Sequence, residues 1–495
     1  MAGGGGPSIG SYSPLTGFVF IFNLIVGAGA LTIPHAFAQV GLLYGALALA
    51  LLALTSYVTA TFMVEAIAGV NALRKRPREL EVGVDDAAHK SAGADTSDGD
   101  DAPTTEFMPL MDHDRLEKKL RGAEIRLDFD LSRKVELAQM AHALFNHHGI
   151  VAFYTCVVVY LYGDLAIYAV AVPKSMREIV CPRPSPNVTV WPCSEHLNSS
   201  DLYRVFVVVF GLVLGPFTFG HMQKTRALQL VTTVVRHASF ALMIVLAIVG
   251  IARGEGRSVN DVVSYEQPSR IATFFGVCIY SFMCHHSIPG LVAPISDKSK
   301  VGYVMAGAFV AVLGVYLLLC VSATFRFQPD EIDDVYTLNF KRYPVRLVAY
   351  FLSLFPVCTL SANFPLICIT LRENLRTLAH NLSSSSTDAR DHETAGTGLS
   401  GFFARHIYAF VAIVPPLVVA LFTEDVSMLV GFTGAYAGLG IQWVVPTALV
   451  WCLRRRLAAA SNPFASPFAH SAWLYMAFAL SGAAVVLITL THGLL

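Results

Sequence analysis

The chain has 495 residues, of which 54% are hydrophobic and 14% are charged, and its mean hydropathy is +0.56. A soluble globular chain carries about 25% charged residues, so most of this chain belongs in a lipid bilayer. Its 35 Lys and Arg residues balance 35 Asp and Glu residues, which argues against a nucleic-acid partner.

The hydropathy pattern predicts an all-α integral membrane protein, because about 20 apolar residues cross a bilayer as a helix. Windows of that length give eleven transmembrane helices, at 16–38, 41–70, 149–173, 202–220, 228–252, 269–294, 301–325, 345–371, 403–422, 425–452 and 470–491. The predicted domains are a tail at 1–15, helices 1–2 at 16–70, a loop at 71–148, helices 3–8 at 149–371, a linker at 372–402 and helices 9–11 at 403–495.

The distribution of basic residues predicts that the N-terminus is cytoplasmic. In that orientation the cytoplasmic segments hold about twice as many Lys and Arg residues as the outside loops, as the positive-inside rule requires. The long loop 71–148 and the linker 372–402 are then cytoplasmic. Residues 77–114 are rich in Asp, Ala, Gly, Ser and Thr, which predicts disorder, whereas residues 115–146 have the pattern of an amphipathic surface helix.

The loop after the third span carries extracellular or lumenal features. Cys181 and Cys193 flank a polar, Pro-rich segment, and a disulfide between them is the natural interpretation in an oxidising compartment. Asn187 and Asn198 begin two N-glycosylation sequons in or beside that segment, so we expect a glycoprotein. These features fit a multi-pass protein of the plasma membrane or of an endolysosomal membrane, and both remain open.

The first span is interrupted near its centre by two glycines and a proline within Asn23–Pro34. A broken membrane helix leaves backbone N–H and C=O groups unpaired, each costing on the order of several kcal/mol in lipid. Such a break is tolerated where it faces protein or a water-filled cavity, and in transporters that cavity is the substrate site. A simple kink is the alternative explanation of one break.

A second central interruption, Tyr280–Gly290, lies in the sixth span and contains two histidines, two serines and a Pro-Gly pair. The two breaks lie five spans apart, in the first and the sixth, so the helices group as five plus five with one extra helix. Matching interruptions in two halves of a chain predict an inverted-repeat transporter with discontinuous first and sixth helices and a site between them.

The same residues carry a family resemblance. Asn23–Pro34 resembles the first-span motif of the amino acid/auxin permease family, and Ser281–His285 resembles its sixth-span motif. More closely, Gly17–Glu65, Tyr160–Pro173 and Phe275–Pro294 resemble the eleven-span transmembrane protein 104 branch of that family. The resemblance covers most of the membrane region, and it implies the LeuT-like (APC) five-plus-five inverted-repeat fold and amino acid transport.

An amino acid substrate would bring two charges to the site. N–H groups freed at the first break can hold its carboxylate, helped by the dipole of the following half-helix, and carbonyls and hydroxyls at the second break can hold its ammonium. The predicted substrate-binding residues are Gly27, Ala28, Gly29, Thr32, Tyr280, Ser281 and Cys284. Close helix packing is the alternative explanation of the glycines.

Charged side chains inside a membrane are costly and suggest function by default. Counting 1.5 Å per residue places Arg236 and Asn363 at similar depth, roughly 13 and 12 Å from the cytoplasmic ends of their spans. By the resemblance, Asn363 stands where sodium-coupled relatives carry a Thr ligand, so we expect Arg236 to replace the cation and contact Asn363 and carbonyls near Asn23. Arginine keeps its proton, which leaves Asp164 or His285 to carry the coupling.

The predicted coupling ion is therefore a proton, with symport as the expected mode and sodium as the second possibility. A structural Asp164–Arg236 salt bridge is the alternative role for both charges. We expect no metal site at the adjacent His285 and His286, because neighbouring helical residues point about 100° apart, and we expect no cofactor.

These features predict a secondary active transporter of amino acids or similar small zwitterions that works by alternating access. A non-transporting amino acid sensor or scaffold of the same fold is the alternative. We expect no enzyme, since the sequence shows no metal cluster, nucleophile–base pair or phosphate loop.

Overall fold

The computed structural model of the chain describes residues 11–91, 128–184, 188, 190–219, 226–383, 399–457 and 461–493. Their α-helices have these bounds: α1 Pro14–Ile25, α2 Gly29–Val40, α3 Leu42–Ser91, α4 Leu137–Leu144, α5 His147–Val180, α6 Ser199–Leu214, α7 Arg226–Gly250, α8 Val259–Ser264, α9 Ile271–Ser281, α10 Ile288–Val292, α11 Val301–Arg326, α12 Arg346–Ser383, α13 Leu399–Phe422, α14 Val426–Thr433, α15 Val445–Arg456 and α16 Ser471–Gly493.

Within these residues, nine helical segments are long and apolar enough to cross a membrane. The α1–α2 pair passes the same test as one span bent by 59°, which brings the number to ten. The chain is thus a multi-pass helical membrane protein. The predicted ninth span, 403–422, corresponds to α13, whose segment His406–Phe422 is apolar but shorter than a full span. The count of eleven stays a prediction.

Two parts of the predicted loop 71–148 are helical in the structure. Helix α3 continues past the predicted end of the second span at residue 70 to Ser91, and the disorder predicted for residues 77–114 stays a prediction, of which 92–114 lie outside the described residues. An existing helix adds residues at little cost, which allows α3 to continue to Ser91. The predicted surface helix at 115–146 is seen as the short α4 with a Glu136–Gln139 capping box. Residues 115–127 lie outside the described ranges.

Local sequence signals position the broken first span. Ser13 caps α1 by accepting a hydrogen bond from the Thr16 N–H, and Pro14 occupies the first turn. Helix α2 ends at Gly41, whose φ of 102° is favourable only for glycine. A side chain there would also meet the Tyr265 carbonyl at 2.4 Å. The start of the first half-helix and the end of the second are therefore fixed by local sequence.

Helices surround the two broken spans and pack closely at glycines. Helices α5 and α12 form the most extensive pair, and α9 packs against α14. A Cβ placed on Gly276 of α9 would lie 1.9 Å from the Gly431 carbonyl oxygen of α14. Beyond α14, two π-helical segments, Gly434–Gly438 and Gly440–Val444, continue the same span into α15. Glycine thus allows the backbones of the sixth and tenth predicted spans to touch.

A buried layer of ion pairs lies at the C-terminal end of α5. The Lys174 ammonium donates to Asp334 at 2.6 Å, and the second Asp334 oxygen accepts from the Val426 N–H at 2.8 Å. Arg177 pairs with Glu178 and with Glu424. The layer joins α5 to the loop between α11 and α12 and to the turn between α13 and α14.

The disulfide loop lies at this same end. The structure joins Cys181 to Cys193, and the Trp191 ring lies over the Arg177 guanidinium at 4.9 Å. Asn198 is exposed at the N-terminus of α6, and its glycosylation stays a prediction. The other predicted glycosylation site, Asn187, lies outside the described residues.

Gly276→Ala should destabilise the protein strongly, because the carbonyl oxygen, carbonyl carbon and Cα of Gly431 would all lie within 3 Å of the new methyl, and these backbone atoms cannot move aside. We expect a loss of about 3 kcal/mol or more, the upper range for overpacked cores. The apparent Tm in detergent, followed by size-exclusion fluorescence, measures the effect. Gly314→Ala of α11 is the control, since its Cβ would meet nothing within 4 Å. Equal Tm values for the two variants would contradict the packing argument.

Asp334→Asn should cost about 3 kcal/mol, because it leaves the Lys174 ammonium buried without its counter-charge. Burial raises the pKa of Asp334, but Lys174 and the hydrogen bonds outweigh burial and hold it below 3.8. The stabilisation is therefore complete above pH 3.8 and is lost as pH falls through the lower folded-state pKa. The Tm difference between wild type and variant should narrow only below about pH 4. The exposed Asp330→Asn is the control, and a difference that instead narrows near pH 6 would contradict the assignment.

Candidate substrate cavity

A cavity of about 370 Å³ lies between the breaks of the first and sixth spans. The first break (residues 26–28) provides one wall, and residues of α5, α7, α9 and α12 provide the others. Its polar and titratable side chains are Tyr160, Asp164, Tyr168, Arg236, Tyr280, His286, Thr359, Asn363 and Thr370. The cavity extends along α12 to Thr370, away from the ion-pair layer. Asp164 and Lys174 are ten residues apart on α5, so the layer begins roughly 15 Å beyond the cavity.

Arg236 satisfies backbone carbonyls that the first break exposes. Its Nη1 donates to the carbonyl oxygens of Asn23 and Val26, each at 3.3 Å. These carbonyls lie at the C-terminal end of α1, where the helix dipole favours a positive charge. The Asn23 amide donates to Thr233 at 3.1 Å, while its Oδ1 has no hydrogen-bond partner among the described residues. The predicted contact of Arg236 with first-span carbonyls is thus present, and Asn363 lies in the same cavity wall.

Asp164 projects from α5 into the opposite part of the wall. It is 8% exposed, and its carboxylate accepts a hydrogen bond from the Tyr280 hydroxyl. The Tyr160 ring lies 6.2 Å from the Tyr280 ring and 6.3 Å from the His286 ring. No ion pair joins Asp164 to Arg236 among the described side chains, so the structure does not show the alternative salt bridge.

Tyr316 of α11 ties the two breaks together. Its hydroxyl donates to the Ile25 carbonyl at 2.9 Å and lies 3.0 Å from the Ser281 carbonyl. Both carbonyls are the last of their half-helices, and the Ile25 carbonyl also accepts from the Gly27 N–H at 2.7 Å. A single buried phenol therefore contacts the last carbonyls of both broken spans and links the two breaks.

The structure brings most of the predicted site residues together. The predicted residues in the cavity wall are Gly27, Ala28, Gly29, Asp164, Arg236, Tyr280 and Asn363. The predicted residues outside the wall are Asn23, Thr32, Ser281, Cys284 and His285.

Four of the residues outside the wall are engaged elsewhere. The Thr32 and Ser281 hydroxyls donate to carbonyls of their own helices, at Gly29 and Val277, and Cys284 is fully buried in the core. His285 points to α3 instead, where its Nε2 lies 2.9 Å from the Thr59 hydroxyl. The direction of the Ser281, Cys284 and His285 side chains depends on the geometry of the sixth-span break, which the order of residues does not specify.

The cavity also contains polar residues that the sequence pattern did not single out. They are Tyr160, Tyr168, His286, Thr359 and Thr370, with Tyr316 directly behind the breaks. Tyr160 and Tyr168 lie in the same sequence run as Asp164, and this closeness in sequence could have identified them as site residues. His286 adjoins the predicted His285, but only its exposure in the structure distinguishes the two. Tyr316 and Thr359 stand within apolar spans with no such signal.

The described part of the chain is therefore a multi-pass helical membrane protein built around an internal cavity between two broken spans. A model of the family described as transmembrane amino acid transporter protein matches residues 10–80 and 132–490. Transmembrane protein 104 of Gallus gallus is 40% identical, over 96% of this chain and 95% of its own. Transmembrane protein 104 of Homo sapiens is 39% identical, over 94% and 93%.

The homolog of transmembrane protein 104 from Drosophila melanogaster is 37% identical over 97% of both chains. The chain belongs to the transmembrane amino acid transporter family and, within it, to the group of proteins named transmembrane protein 104. The family resemblance seen in the sequence is confirmed.

Gly29→Ala should lower the Tm, whereas Gly27→Ala should leave it nearly unchanged. A Cβ on Gly29 would lie 2.6 Å from the Ser281 Cα, which is backbone of the other broken span. A Cβ on Gly27 would meet the Leu24 and Ile25 carbonyls at 3.6 and 3.8 Å, which are ordinary contacts. We expect a cost of about 1–3 kcal/mol for the first change and less than about 0.5 kcal/mol for the second. Thermal denaturation in detergent compares them, and the reverse order would refute this packing of the breaks.

Proposed function

We propose that the chain is a secondary active transporter of amino acids or similar small zwitterions, working by alternating access and coupled to protons. The observation that carries the proposal is the cavity between the two breaks, with Arg236 and Asp164 in its wall and not paired with each other. Family membership supports the same function. We propose the eleven-span, five-plus-five inverted-repeat arrangement as its fold.

The first break supplies the binding group for a carboxylate. The N–H groups that begin α2, at Ala28 and Gly29, have no intrahelical acceptor, and both residues line the cavity. The positive end of the helix dipole adds to their attraction for an anion. Arg236 contributes a fixed positive charge in the same wall. A substrate carboxylate therefore meets N–H donors and a cation together.

Arg236 also bears on the coupling ion. Sodium binding at the end of α1 would need carbonyl oxygens such as those of Asn23 and Val26, and Arg236 donates to both. The guanidinium cannot lose its proton, so it acts as a permanent cation at this position. The coupling role then falls to a group that can gain and lose a proton, and Asp164 lies in the cavity wall. We propose a proton as the coupling ion.

We propose that the ion-pair layer closes one end of the transport pathway. Lys174 and Arg177 tie α5 to the loop at Asp334 and to the turn at Glu424, beyond the cavity and on the side of the disulfide. We propose that this side is extracellular or lumenal and that the N-terminus is cytoplasmic. The cavity, which extends the other way, then faces the cytoplasm. Opening the other side requires these ion pairs to separate.

Counter-flow in proteoliposomes tests the proposed function. Vesicles preloaded with an unlabelled amino acid should accumulate the labelled form of the same amino acid from outside, for at least one member of a panel of amino acids. Replacing sodium with choline should not change the rate of this exchange. Arg236→Gln should abolish exchange, because it removes the cation from the cavity wall. His285→Gln and His286→Gln form a matched pair, and only the second, in the cavity, should alter substrate affinity.

Several outcomes of this experiment contradict the proposal. Sodium dependence would refute the replacement of sodium by Arg236. Saturable binding of an amino acid without exchange in either direction would refute transport and favour a sensor.

A further inference from the structure

Asp164 is the one acidic residue in the cavity wall, as far as the structure describes the chain. Its carboxylate is buried, and its contact is the neutral Tyr280 hydroxyl. A buried carboxylate with one neutral hydrogen bond is far from satisfied, since an ionised carboxylate offers about four acceptor sites. The remaining acceptor positions are available to a donor that enters the cavity.

The surroundings of Asp164 contain one full positive charge, and that charge is committed elsewhere. The titratable and charged groups that face Asp164 are Tyr160 and Tyr168 of α5, Tyr280 and His286 of the sixth span, and Arg236 of α7. Helix α12 adds to the cavity only the uncharged polar residues Thr359, Asn363 and Thr370. Arg236 donates to the carbonyls at the end of α1 rather than to Asp164.

The rest of the wall is apolar. The side chains of α1, α5 and α12 that complete it include Leu24, Leu161, Phe355, Leu360, Leu366 and Ile367. One acid and one base match the two backbone charges of an amino acid. A third charge on the substrate would enter the apolar part without a partner, at a large cost in free energy.

We infer that Asp164 binds the ammonium group of a neutral amino acid with an apolar side chain, and that a proton occupies the same carboxylate when the substrate is absent. This inference rests on the proposed function and assigns its substrate class and its coupling residue. The bound zwitterion donates N–H hydrogen bonds to the ionised carboxylate, while its own carboxylate lies at the N–H groups of Ala28 and Gly29.

Competition for one carboxylate fixes the direction of coupling. When the zwitterion binds, the proton leaves the Asp164 carboxyl for solvent, and the ammonium takes its place without exchange of covalent bonds. When the substrate leaves, a proton returns. A transporter that carries either substrate or proton across the membrane exchanges one for the other, which is antiport. Symport, the mode expected from the sequence, would require the proton and the substrate to be bound together.

The sign of proton linkage tests the inference directly. L-leucine is added to the full-length protein in weakly buffered detergent with a pH indicator, at pH values where Asp164 is protonated without substrate. We expect release of about one proton per bound leucine and an affinity that rises up to about tenfold per pH unit in that range. Proton uptake on binding would overturn the inference and restore symport.

Variants of Asp164 and an analogue of leucine test whether Asp164 is the residue that binds the ammonium group. Asp164→Asn should weaken leucine binding by roughly 30-fold or more and abolish proton release, whereas Asp164→Glu should retain release. If Asp164→Asn does not fold, wild-type protein still tests the inference with 4-methylpentanoate, which is leucine without its ammonium group. This analogue should bind at least roughly 30-fold more weakly than leucine and release no proton. Equal binding of the two compounds would overturn the role of Asp164.

Transport under imposed pH gradients separates this inference from the proposed function. Vesicles that are acidic inside should accumulate labelled leucine or phenylalanine and discriminate against lysine and glutamate. Accumulation driven only by acid outside, or preference for lysine or glutamate, would overturn the inference while leaving transport intact. Absence of exchange for every amino acid, in either gradient, would instead refute the proposed function.

Discussion

The unpaired backbone of the first-span break is the constraint on which the rest of the structure depends. Breaking a helix inside a bilayer frees groups that lipid cannot satisfy, so each must find a partner in the protein or in a ligand. Arg236 takes the carbonyls of Asn23 and Val26, and Tyr316 takes that of Ile25. Side chains of the protein thus satisfy the carbonyl groups of the break. On the N–H side, the first residues of α2 face the cavity, and a substrate carboxylate is their natural partner.

Close approach of backbones is the second condition that keeps the breaks together. Gly29 contacts Ser281 where the two broken spans meet, and Gly276 contacts Gly431 where the sixth span meets the tenth. A side chain at either position would lie less than 3 Å from backbone atoms of the neighbouring span. The alternative explanation of the glycines as packing residues therefore holds for Gly29, while Gly27 opens onto the cavity. Neighbouring glycines in one motif serve different purposes.

Sequence patterns predicted the spans and the breaks because polar groups are costly in lipid. This cost limits the residue types that a span can contain, so spans and their interruptions are visible in the sequence. Most predicted limits lie within a few residues of the helices, and the contact between Arg236 and first-span carbonyls followed from counting depth. The direction of side chains at the second break could not be predicted, since Cys284–Ser287 leave regular α-helix. Consequently the sequence pointed to His285 as a site residue, whereas in the structure His286 lies in the cavity wall. Tyr316 was missed because one tyrosine in an apolar span carries no periodic signal.

Among the described residues, the charges of the α5 layer and those of the cavity differ in their partners, and this difference is the strongest argument for a ligand; buried Glu65, elsewhere, is paired with Arg454. In the layer at the end of α5, Lys174 and Arg177 are paired with carboxylates, as buried ions that only stabilise a fold must be. In the cavity, Asp164 and Arg236 have neutral partners instead. Evolution of a purely structural protein would pair or remove two such charges. Their separation across a cavity with apolar walls leaves room for a molecule that carries both complementary charges.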